Sequence, residues 1–128
     1  MNSINMLQRD DKIMTWHPSG KAGVYISAKH YKLLCDFIFL VLKGREVTIK
    51  ELIELGEAQL ARKLDKNVSW LILVVKLDLE ARGLVTSVTR LTPYKNQFLR
   101  LKSRNLKGIV QFQRSLNGHA ERRRQGYR

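Results

Sequence analysis

The sequence predicts a mainly α-helical α+β domain with one small β-hairpin, and three observations carry that prediction. Residues 28–43 and 68–82 repeat apolar side chains near the 3.6-residue period, and each stretch is followed by a glycine, Gly44 or Gly83. Between them, Thr48-Ile49-Lys50-Glu51 has the spacing of a capping box, in which a hydroxyl and a carboxylate satisfy the free N–H groups at a helix start. After Gly83 the apolar period falls toward two. A chain of 128 residues, 44% of them hydrophobic, closes one core and is too short to expect a second.

Taken in order, residues 1–22 show no sustained period and contain Pro18, Ser19 and Gly20, so they read as an N-terminal arm. Gly23–Ser27 is a short β-prone run with Val24 and Ile26 on one face. Ser27 is a good N-cap for a helix over 28–43 whose stripe is Tyr31, Leu34, Cys35, Ile38, Val41 and Leu42. Phe37, Phe39 and Leu40 lie off that stripe, and a helix apolar on several faces needs several partners. The capped second helix turns its Ile49, Leu52, Ile53 and Leu55 inward, Gly56 allows a turn, and 57–64 add another turn or two of helix. Asp65, Lys66 and Asn67 break the pattern before the third helix, which Gly83 closes. Leu84–Leu91 and Gln97–Lys102 then form a hairpin around the turn-rich Thr92–Asn96. A last amphipathic helix carries Leu106, Ile109, Val110, Gln113 and Leu116 and ends at Asn117-Gly118, and the polar HAERRRQGYR is expected to be disordered. The organisation is an arm (1–22), one domain (23–103) and a basic C-terminal helix and tail (104–128).

This order, with VTIKELIELG for the second helix and LDLEARGLV at the exit of the third, resembles a winged helix-turn-helix domain over residues 23–102. The resemblance implies a three-helix core with a wing, a DNA-binding protein and a transcriptional regulator. It also implies that the wing touches phosphates or the minor groove through Arg90, Tyr94, Lys95, Asn96 and Arg100. Asn67 and Ser69, the polar residues where the third helix begins, join these candidates.

The third helix departs from such a reader. Base edges are recognised by hydrogen-bonding side chains, but its leading half is Trp70, Leu71, Ile72, Leu73, Val74 and Val75. Val68, Ile72, Val75 and Leu79 form the expected core stripe. Ser69, Lys76 and Glu80 form a polar stripe, with Asp78 and Arg82 beside it. Trp70, Leu71, Leu73 and Val74 are left over. Three placements are open: beneath the chain's own arm or C-terminal helix, in a homodimer interface with Phe37, Phe39 and Leu40, or against DNA bases.

Charge points to the partner. The net formal charge is +13, divided as +1 over residues 1–26, +3 over 27–90 and +9 over 91–128. Arg100, Lys102, Arg104, Arg122, Arg123 and Arg124 make the C-terminal part a candidate polyanion surface, best matched by double-stranded DNA held through its phosphates. The other class is a protein-interaction or dimerisation module on the same scaffold, without sequence reading.

Other chemistry finds little support. PSGKAG lacks the first glycine and the final Ser or Thr of a phosphate loop, with Thr15 and Ala22 at those places. His17, His30 and His119 have no metal spacing, and the single Cys35 falls on the apolar stripe. No carboxylate pair suits acid–base work, so the expectation is a non-enzyme without cofactor, metal or small-molecule substrate. No run is long and apolar enough to span a membrane, and MNSINMLQRDD has no signal-peptide core, so the expected location is the cytoplasm.

Overall fold

The structure is a computed structural model that describes residues 11–64, 67–91 and 96–125, with Ser103 and the stretch 117–125 described by their backbone alone. It is an α+β fold, with four α-helices and two antiparallel hairpins among the described residues. No helix among them is long and apolar enough to cross a membrane.

The first hairpin pairs β1 (Lys12–Trp16) with β2 (Ala22–Ser27). Residues 12–16 are therefore a strand rather than part of an irregular arm. Sequence alternation hid it because the register shifts between Met14 and Trp16. There the Thr15 hydroxyl replaces ladder bonds, donating to the Val24 carbonyl at 3.0 Å and accepting from the Val24 N–H at 2.9 Å. Gly23 is required beside it, since a Cβ would collide with Thr15. The turn closes through Gly20, at φ +87, whose N–H donates to the His17 carbonyl at 2.9 Å.

Helix α1 (Ala28–Leu42) starts as the sequence predicts, with the Ser27 side chain accepting from the His30 N–H at 3.0 Å. It is the central helix. Tyr31, Leu34, Cys35, Phe37, Ile38, Phe39, Val41 and Leu42 are all buried, because the other elements surround it. Val47 then pairs with Leu99, its N–H donating to the Leu99 carbonyl at 3.1 Å and its carbonyl accepting from the Leu99 N–H at 2.7 Å.

Helix α2 (Ile49–Leu60) opens with the expected capping box between Thr48 and Glu51. It runs straight through Gly56, where the sequence suggested a turn. Gly56 serves packing instead of turning: it is buried, and a Cβ there would strike the Ile72 side chain of the facing helix. Helix α3 (Val68–Ala81) is capped by Asn67, which accepts from the Trp70 N–H at 3.1 Å, and Gly83 follows at φ +76. Its core stripe is Val68, Ile72, Val75 and Leu79 as predicted, joined by Leu71 and Asp78.

The second hairpin, β3 (Val85–Arg90) with β4 (Asn96–Leu101), holds an unbroken register from Val85↔Leu101 to Arg90↔Asn96. A 3-10 turn at Ser103–Asn105 leads into α4 (Leu106–Gln125). This helix passes Asn117-Gly118 and includes much of the tail expected to be disordered. Ala120, Glu121, the three arginines and Gln125 are good helix formers, and a helix already nucleated propagates at one hydrogen bond per residue fixed. Its packed stripe is also rotated from the prediction. Ile109 is buried and Phe112 and Leu116 are half-buried, whereas Leu106 and Val110 are exposed. Phe112 lies edge-on to both Tyr31 and Phe39, with ring centroids 6.2 and 6.1 Å away, which fastens α4 along α1.

Candidate functional site

The predicted nucleic-acid residues fall into three groups. Asn67 and Ser69 stand at the start of α3, but their side chains are occupied there: Asn67 caps the helix, and the Ser69 hydroxyl donates to Asn67 Oδ1 at 2.8 Å. On the second hairpin, Arg90 makes a two-pronged contact with Glu46 at 3.2 and 2.6 Å, and Arg100 lies 3.8 Å from the same carboxylate. The hydrogen bond from Arg90, above all, holds the Glu46 carboxyl below its ordinary range. Both arginines stay largely exposed, so this pair is a solvated one that phosphate can compete for. Lys102 and Arg104 are exposed just beyond β4. Asn96 begins β4. Tyr94 and Lys95 lie outside the described residues, and Arg122, Arg123 and Arg124 belong to the backbone-only part of α4.

The expected interface residues separate sharply. Phe37, Phe39 and Leu71 are 5%, 4% and 1% exposed within this chain's own core and cannot form a surface. Leu40 (70%) and Trp70 (46%) are exposed, Val74 is half-buried, and Leu73 joins the exposed set. Among the described residues, neither the arm nor the C-terminal helix buries Trp70.

The feature that sequence reasoning missed is a buried polar cluster centred on Asp78. The sequence placed this residue on a surface stripe, but it is 0% exposed. Its Oδ1 accepts the backbone N–H of Trp16 at 2.8 Å. Its Oδ2 accepts the Tyr31 hydroxyl and the Arg82 Nε–H, the latter at 2.9 Å. The Arg82 guanidinium in turn lies over three rings, 4.3 Å from the Trp16 centroid, 5.4 Å from Phe112 and 5.9 Å from Tyr31. One carboxylate therefore ties β1, α1 and α3 together, and its arginine partner extends the tie to α4.

Burial, then the adjoining Cys35 and the bond to Asp78, pushes the Tyr31 hydroxyl far above its ordinary value. Burial and the Asp78 charge do the same to the Cys35 thiol. Burial alone would lower Arg82, but its hydrogen bond to Asp78 and the neighbouring charges outweigh that and raise it. A thiol held protonated is no nucleophile. The cluster is suited to fastening elements together rather than to proton transfer, and no group of metal-ligating side chains occurs among the described residues. A sequence signal did exist. Asp78 and Arg82 are four apart, at ion-pair spacing, at the end of an otherwise apolar helix.

Residues 12–95 match a family described as "Family of unknown function (DUF6958)". The chain belongs to this family. No curated protein and no solved structure matches the chain. The DUF6958 match begins at β1, so it includes Trp16, Tyr31, Asp78 and Arg82, whereas Phe112 and the whole of α4 lie beyond the matched residues.

Proposed function

We propose that the protein is a winged-helix DNA-binding protein of the transcription-regulator kind, holding duplex DNA chiefly by its phosphates through the β3–β4 wing and the basic C-terminal helix. One observation carries this reading: the order α1, Val47 bridge, α2, α3, β3, β4, in which the short segment before α2 pairs with the second wing strand. The uneven charge supports it, with a +9 excess over residues 91–128. Base reading by α3 is disfavoured. Trp70 and Leu73 occupy its outer face, Asn67 and Ser69 bond to each other, and Lys76 is paired with Glu80 at 3.1 Å.

The test is a salt titration of duplex binding by fluorescence anisotropy. The logarithm of affinity should fall linearly with the logarithm of salt, with a slope of about −0.9 per phosphate neutralised. Neutralising Lys95, Arg122, Arg123 and Arg124 together should flatten that slope by about one per lost contact and weaken unrelated duplexes equally. Binding that is absent at low salt, or insensitive to salt, would overturn the reading.

A second reading, homodimerisation through the outer face of α3, is favoured by the exposure of Trp70 (46%) and Leu73 (38%) on one helix. Trp70→Glu should then yield a folded monomer from a dimeric protein, measured by light scattering with circular dichroism. An unchanged particle mass would exclude this interface.

A further inference from the structure

We propose that the groove beside the β1–β2 turn is a nucleotide site, in which a planar base stacks on Trp16 while Lys21 and His17 hold its phosphate. The groove has a volume of about 550 Å³, within the range of small-molecule sites, and Met14, Trp16, His17, Lys21 and Ala81 are among its walls. Trp16 is the reason to expect a base. It is 51% exposed, an unusual condition for a ring so firmly held. Its backbone N–H is fixed on buried Asp78 at 2.8 Å, and the Arg82 guanidinium occupies one face of the indole at 4.3 Å. An aromatic surface immobilised before binding loses little freedom when a second ring stacks on it.

The polar groups select an anion. His17 Nδ1 accepts the Ser19 backbone N–H at 3.1 Å, which leaves Nε2 as the N–H of the neutral ring. Lys21 adds a mobile ammonium suited to phosphate, and no carboxylate is among the described residues lining the groove. The turn's own Gly20 N–H is already spent on the His17 carbonyl at 2.9 Å, so recognition falls to side chains. Because a duplex keeps its bases stacked, this site is independent of the proposed duplex binding. It can be supplied by a free nucleotide or by an unpaired base of a strand.

The chain has two tryptophans, so Trp70→Phe leaves Trp16 as sole reporter at a position where the replaced ring is exposed. In that background, adenosine monophosphate, a short single-stranded oligodeoxyadenylate and inorganic phosphate are titrated separately while indole emission is followed. Saturable quenching is expected from a base-bearing ligand and not from phosphate. Saturation by the mononucleotide identifies a free nucleotide as the source, and quenching by the oligonucleotide alone identifies a strand. Lys21→Ala, on an exposed turn, should weaken the interaction about tenfold without altering the emission of the unliganded protein. Unchanged emission with both nucleotides, equal quenching by phosphate, or quenching unaffected by Lys21→Ala would each overturn the proposal.

Discussion

Asp78→Ala should lower the free energy of unfolding by about 3–5 kcal/mol, the cost of removing one partner from a buried ion pair. Three donors lose their acceptor at once: the Trp16 N–H, the Tyr31 hydroxyl and Arg82 Nε. The Arg82 side chain, 22% exposed, cannot recover full hydration in its place among the rings. Domains are stable by only about 5–15 kcal/mol, so this single change removes about a fifth of the total or more. Asp78→Asn, which keeps the shape and one oxygen acceptor, should lose less. Arg82→Met should also lose less, because Asp78 then retains two donors. Urea unfolding followed by circular dichroism measures all three. A loss under about 1 kcal/mol for Asp78→Ala would mean that water reaches the carboxylate, and the account of the cluster would be wrong.

Such a tie was hard to see in the sequence for a physical reason. Helix starts and stops are local chemistry, and Ser27, Thr48 with Glu51, Asn67 and Gly83 all act where they stand in the chain. The β3–β4 hairpin was equally legible, from its change of period. Long-range partners leave no such mark. A periodicity argument registers Asp78 as polar and assigns it to solvent, because nothing nearby announces that Trp16 and Tyr31, 62 and 47 residues away, will supply its donors. Gly56 was misread similarly: its propensity indicates a turn, and the need for close approach comes from Ile72 on another helix. Strand β1 escaped because its bulge breaks the alternation that identifies a strand. The candidate site was legible in its charge and only partly in its geometry. Arg90 and Arg100 are exposed on the β3–β4 hairpin, but Glu46, distant in sequence, already engages both.

Alkali should unfold this protein more steeply than its surface charge alone would cause. Tyr31 and Cys35 are both buried, and both ionise in the folded state far above their ordinary values of 10.0 and 9.0. A group raised in this way contributes fully below its ordinary value and loses that contribution as pH rises, because the unfolded chain sheds a proton that the folded chain keeps. Each group then removes about 1.4 kcal/mol of stability per pH unit, beginning with Cys35 near pH 9 and joined by Tyr31 near pH 10. At pH 11 the combined loss is about 4 kcal/mol, comparable to that of Asp78→Ala. Urea unfolding between pH 8 and pH 11 tests this when wild type is compared with Cys35→Ala and Tyr31→Phe. Cys35→Ala starts less stable through the cavity it leaves, but its profile should be flatter above pH 9, and the Tyr31→Phe profile flatter above pH 10. Three parallel profiles would show that neither group is held protonated by the fold. The two flattenings, if they appear at separate pH values, distinguish the thiol from the phenol and locate the alkaline weakness in the same cluster that binds β1, α1, α3 and α4 together.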